Sequence, residues 1–151
     1  LISVLIMLTS LQTVLLPRFS SWDIKKIKRN LPKIIFLNLI ISSVAYIFVR
    51  AFSEHIILII YGKQYLPAKD LLEIGSFLIL LNVQYYFTDI FNLKGKPIFT
   101  SIIIGTTAIT NAILDYMLIS SIGLIGAIWA TIISWSIGLF MGMLLFLVYF
   151  K

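Results

Sequence analysis

Long apolar runs, broken by short stretches that hold nearly all the charge, set the pattern of this sequence. A bilayer core about 30 Å thick takes about 20 apolar residues at about 1.5 Å rise each. Five stretches come close to that length: 1–17, 34–50, 71–93, 98–119 and 122–150. The run 34–50 is short for a span, but Lys33 and Arg50 at its ends can reach the two interfaces by snorkelling. A further apolar piece, 56–61, is too short to cross. It reads as an interfacial or re-entrant helix, started by Ser53 and Glu54 and stopped by Gly62. The expected fold is all-α, a polytopic membrane bundle of about five transmembrane helices. A basic amphipathic loop covers 18–33, and an external loop with a short helix covers 51–70.

Composition sharpens this picture. Of 151 residues, 60% are hydrophobic and 12% charged, against about 45–50% and about 25% in ordinary soluble domains. The mean hydropathy is +1.06. A soluble chain of this size buries only about two thirds of its surface, so this much apolar residue would leave large exposed patches. The sequence has no cysteine, which removes disulfides and thiolate metal sites, and its single histidine, His55, excludes a two-histidine metal motif.

The net charge of +6 is placed by topology rather than by nucleic acid, since the basic residues lie between apolar runs instead of on one soluble surface. Arg18, Lys25, Lys26, Lys28, Arg29 and Lys33 fill the first connection, Lys94 and Lys96 the third, and Lys151 closes the chain. Alternate connections thus carry nine and three basic residues. The positive-inside rule then puts the first connection, the turn at Gly95 and the C-terminus in the cytoplasm. Residue 1 falls outside, within an apolar run and with no basic segment before it, which argues against a signal peptide. The expectation is a piece of a longer polypeptide whose earlier helices lie upstream. From Ser21, the segment SWDIKKIKRNL spaces Trp22, Ile24, Ile27 and Leu31 at helical intervals with lysines between. It reads as a helix lying in the headgroups, its basic side toward anionic lipid, or as a device that only fixes topology.

Polar residues within the spans are the candidates for function. Gln84, Thr88 and Asn92 repeat every four residues, with Tyr85 and Asp89 beside them. A carboxylate deep in a span costs about 2.5–3.5 kcal/mol on insertion scales, so this face either lines an aqueous cavity or lies at the interface. Asp89, five residues before Lys94, fits a locally paired or headgroup-wetted residue equally well. In the fourth span Thr107, Asn111 and Asp115 share one face. Asp115 is expected to be solvated at the external end, and Asn111 either bonds a neighbouring helix or lines the cavity. Asn38 and Gln12 read as interhelical glue. In the fifth span Gly126, Ala130, Ser134, Gly138 and Gly142 recur every fourth residue, a small-residue ridge for close helix packing. No catalytic constellation, phosphate-binding loop, metal site or cofactor site is expected.

The order of several landmarks resembles a known family. Pro17-Arg18-Phe19-Ser20 follows a span; then come Ile60-Tyr61-Gly62-Lys63-Gln64-Tyr65, the stretch 68–74, Asn92-Leu93-Lys94-Gly95-Lys96-Pro97, the stretch 111–114, and Gly123-Leu124-Ile125-Gly126-Ala127 before Ala130, Thr131 and Ser134. The whole is similar to the C-terminal half of polysaccharide-biosynthesis flippases, the Wzx-like members of the multidrug/oligosaccharidyl-lipid/polysaccharide exporter superfamily. The resemblance implies two helical bundles facing each other across a cavity and alternating between inward- and outward-open forms. The substrate would be a polyprenyl-diphosphate-linked oligosaccharide, the place the cytoplasmic membrane, and the partners membrane lipid and the N-terminal bundle of the same polypeptide. This chain departs from such flippases in having no lysine or arginine in the middle of a span. Two other classes stay open: a cation-coupled multidrug exporter of the same superfamily, with Asp89 as its carboxylate, and a membrane subunit or remnant that does not transport.

Overall fold

A computed structural model describes residues 2–150, with side chains from 12 onward; Leu1 and Lys151 lie outside the described residues. Its helices are α1 (Ile2–Ser21), α2 (Ile24–Ala51), α3 (Ser53–Ile60), α4 (Lys69–Gly75), α5 (Leu78–Leu81), α6 (Gln84–Leu93), α7 (Pro97–Ile122) and α8 (Leu124–Tyr149). A 3₁₀ helix, Lys63–Ala68, precedes α4, and no strand occurs among the described residues. Three helices, α2, α7 and α8, are long and apolar enough to cross a membrane. At 28, 26 and 26 residues they are about 39–42 Å long, more than a hydrocarbon core about 30 Å thick. Their outer faces show why lipid is the solvent: Phe36, Ile47, Ile109, Phe140 and Leu147 are each more than half exposed. The chain is a helical membrane protein.

The stretch 71–93, expected as one span, is three helices in line. Ser76, Phe77, Asn82 and Val83 keep right-handed helical angles, so the track does not reverse. At both joints, however, the bonds shorten to the 3₁₀ pattern: Phe77 N–H to Ile74 O, Ile79 N–H to Ser76 O, Tyr85 N–H to Asn82 O. Side chains compete for the backbone there. Ser76 Oγ donates to Glu73 O at 2.6 Å, and Gln12 Nε2 donates to Asn82 O at 3.2 Å. This track is the centre of the molecule. α1 and α2 pack on one side of it, α7 and α8 on the other, and Ile79, Tyr86, Phe87, Ile90 and Phe91 are all buried.

The basic segment 18–33 is helical on either side of a two-residue break. Only Trp22 and Asp23 separate α1 from α2, and Asp23 caps α2 by accepting from Lys26 N–H at 2.9 Å. Lys94 Nζ donates to Trp22 O at 2.6 Å and Ser20 O at 3.2 Å, closing the carboxyl end of α1. The amphipathic pattern is present, but its apolar side meets protein. Ile27 and Leu31 join the main core with Phe19, Tyr86, Phe87, Ile90 and Phe91. At the same end Phe91 stacks on Phe150 and Lys96 lies over the Tyr149 ring. Arg18 to Lys33, Lys94 and Lys96 therefore gather at one end of the bundle.

At the other end α3 runs from Ser53 and stops at Gly62, whose φ of +91° only glycine adopts readily. Lys69 ties α3 to α4 through Glu54 at 3.4 Å and Glu73 at 3.9 Å. A single residue, Gly123 at φ +65°, ends α7 and starts α8. These two helices form the most extensively packed pair in the fold.

Candidate functional site

The small-residue positions of α8 govern how closely its neighbours approach. Gly126, Ala130, Ser134, Gly138 and Gly142 are all buried. A Cβ at Gly126 would strike the Leu118 carbonyl on α7. One at Gly138 would strike Thr107 Oγ1 and come within 2.9 Å of Gln84 Oε1. One at Gly142 would lie 3.1 Å from Phe87 Cβ on α6. The ridge thus brings α6, α7 and α8 together, and Gly138 leaves room for the polar groups opposite it.

Beside Gly138 the three helices line an open-sided cavity of about 380 Å³. α6 contributes Gln84, Tyr85 and Thr88; α7 contributes Ile103, Ile104, Thr107, Ala108 and Asn111; α8 contributes Ser134 and Trp135. Tyr85 and Trp135 meet edge to face at 5.9 Å and close one wall. The hydroxyls are anchored by their own helices: Thr88 donates to Tyr85 O at 2.9 Å, Thr107 to Ile103 O at 2.8 Å and Ser134 to Thr131 O at 3.0 Å. Their donors are spent, so the Thr88 and Thr107 oxygens are left to the space as acceptors, while Ser134 is fully buried in the wall. The Gln84 amide, nearly buried, makes no hydrogen bond to a described residue and can both donate and accept. Among the described residues no charged side chain lines the cavity. Such a lining suits water or the hydroxyls of a neutral ligand and offers nothing to hold a diphosphate.

Of the five residues expected to line a cavity, the structure brings Gln84, Thr88 and Asn111 together. Asp89 is half-buried on α6 outside that lining, and Asn92 is exposed at the end of the same helix. Lys94 is committed to the end of α1 and forms no ion pair with Asp89 among the described residues. Asn38 and Gln12 are buried: Asn38 Nδ2 donates to Tyr86 OH at 3.2 Å, and Gln12 reaches Asn82.

Asp115 differs from its expected solvated state. It is only half exposed, and its Oδ1 is buried without a partner among the described residues. Asn111 Nδ2 lies 3.4 Å from Thr131 Oγ1; with the amide turned over, its nitrogen would reach Asp115 Oδ2 at 3.3 Å. A buried carboxylate oxygen without a donor calls for water or a further donor group beside it. The signal was present as the repeat Thr107, Asn111, Asp115 on α7, but its continuation into Thr131 and Ser134 on α8 depended on how the hairpin closes. Among the described residues no group of three acidic, histidine or cysteine side chains is placed to hold a metal ion.

Comparison with protein-family models, with curated proteins and with solved structures finds no match to this chain.

Proposed function

We propose that this chain is part of a flippase that moves a polyprenyl-diphosphate-linked oligosaccharide across the cytoplasmic membrane by alternating access. The observation that carries this reading is the cavity between α6, α7 and α8, where Gln84, Thr88, Thr107 and Asn111 set amide and hydroxyl groups among apolar side chains, within helices whose outer faces are apolar. Polar groups at that depth are costly unless they meet water, a ligand or one another. Gln84, Thr107 and Asn111 would face the saccharide hydroxyls, and the charged diphosphate would be held by groups outside this chain. The order of landmarks shared with Wzx-like flippases agrees with this, as does the gathering of Arg18 to Lys33, Lys94 and Lys96 at the end assigned to the cytoplasm. A second bundle of the same polypeptide would close the cavity, and one bundle would rock against the other. The test is saccharide export by the intact protein carrying Gln84→Leu with Asn111→Leu. Export falls at least tenfold with protein level unchanged if these residues line the path, and undiminished export overturns the reading.

A second reading, a cation-coupled drug exporter, rests on the unpartnered Asp115 oxygen and on Asp89, half-buried without an ion pair among the described residues. Drug resistance conferred on a sensitive strain and lost in Asp115→Asn or Asp89→Asn would favour it.

A further inference from the structure

A groove of about 390 Å³ runs between α1 and α2, beginning at the basic end of the bundle. Arg18 and Lys33 lie at its mouth with Trp22 and Asn30, and Val14, Leu37 and Ile41 form its walls along the span. Both cations are exposed, and neither forms an ion pair among the described residues, where the only salt bridges are those of Lys69. Asp23, the one acidic residue of the segment, turns its carboxylate to the Lys26 N–H instead. The walls are equally without partners: Val14 is 72% and Leu37 59% exposed. The polar groups at the base satisfy each other, Ser42 donating to Asn38 Oδ1 and Asn38 to Tyr86 OH.

We propose that this groove binds one anionic phospholipid, its phosphate between Arg18 and Lys33 and one acyl chain along Val14, Leu37 and Ile41. Charge complementarity selects the headgroup, because two unpaired cations at the interface favour a phosphate over a zwitterion of no net charge. The apolar walls select an amphiphile over free phosphate, to which they offer nothing. Phe19 beside Arg18 on α1 and Leu31 close to Lys33 on α2 are packed into the core and fix the backbone that carries each cation, so the site is a feature of the folded surface rather than of an inserted amphipathic helix. It is separate from the cavity between α6, α7 and α8 and does not rest on the transport reading.

The experiment is native mass spectrometry of the intact protein in detergent, titrated with phosphatidylglycerol or phosphatidylcholine. The expected result is retention of one phosphatidylglycerol and not of phosphatidylcholine. Arg18→Gln with Lys33→Gln weakens that retention about 30-fold, from about fivefold per cation. Lys25→Gln with Lys28→Gln, which removes the same charge outside the groove, leaves it within about threefold. Leu37→Trp keeps every charge, fills the groove at an outward-facing position, and weakens retention about tenfold. Equal loss in both charge pairs would mean a diffuse basic surface and overturn the site. Full retention in Leu37→Trp, or displacement by millimolar inorganic phosphate, would reduce it to a headgroup or free-anion contact and overturn it as well.

Discussion

Replacement of Gly126 by alanine tests the contact that sets the α7–α8 hairpin. A methyl carbon at this position overlaps the carbonyl of Leu118 and comes within 2.9 Å of Ile119 N. Carbon contacts are comfortable at about 3.5–4.0 Å, so α7 and α8 must separate by about 1 Å where they join. Nothing flexible can give way, because the atoms struck are helix backbone, and the one-residue turn at Gly123 leaves no slack. Overpacking costs about 1–3 kcal/mol, and the rigid neighbours place this site at the upper end. Alanine returns about 1 kcal/mol of helix propensity, so the net loss is about 2 kcal/mol. Gly105 on α7, where an added Cβ would meet no atom within 4 Å, is the matched control. There alanine stabilises by about 0.4–1 kcal/mol. The assay is denaturant unfolding of the intact protein in micelles, followed by tryptophan fluorescence. Opposite signs at the two glycines are the prediction. A Gly126→Ala protein as stable as the parent would refute the close approach.

Three other outcomes follow from contacts already described. Lys94→Met removes both hydrogen bonds that close α1 and should cost about 1–3 kcal/mol in the same assay, whereas a lysine serving only topology would cost nothing measurable. Ile27→Ala should cost about 2–5 kcal/mol, because Ile27 is fully buried in the main core; a loss below about 0.5 kcal/mol would return this residue to the headgroups. Asp115→Leu removes a carboxylate whose Oδ1 is buried with no partner among the described residues, so stability should rise by about 1–3 kcal/mol while any cation dependence of transport disappears. A drop in stability with cation dependence intact would show that Asp115 is paired.

Apolar length alone made the helices legible, since 34–50, 98–119 and 122–150 correspond to α2, α7 and α8. Pattern also marked a boundary where one residue decides the backbone, at Gly62. It could not show what covers a face. Trp22, Ile24, Ile27 and Leu31 read as an apolar stripe for the headgroups, yet Ile27 and Leu31 pack on Phe19 and Tyr86, which are distant in the sequence or on another helix. Hydropathy likewise cannot see the 3₁₀ joints at Ser76 and Asn82, because the second depends on a bond from Gln12, 70 residues away. At the candidate site, the four-residue repeat found Gln84, Thr88 and Asn111. It carried Asn92 along with them, since spacing along one helix does not say where that helix leaves the bundle. Ser134 belonged to two patterns at once, the packing ridge and the cavity, and only the assembled α6, α7 and α8 put it in both.

The central claim is that a water-accessible polar cavity lies between α6, α7 and α8, and thiol accessibility tests it most directly. The chain has no cysteine of its own, so single substitutions report cleanly. Thr107→Cys, in the cavity, and Ile109→Cys, 65% exposed on the lipid face two residues away, are compared in membranes treated with a charged, membrane-impermeant thiol reagent. Labelling of position 107 with position 109 unreactive is the result expected of an aqueous cavity. Equal labelling at the two positions, or none at position 107 from either side of the membrane, would contradict it.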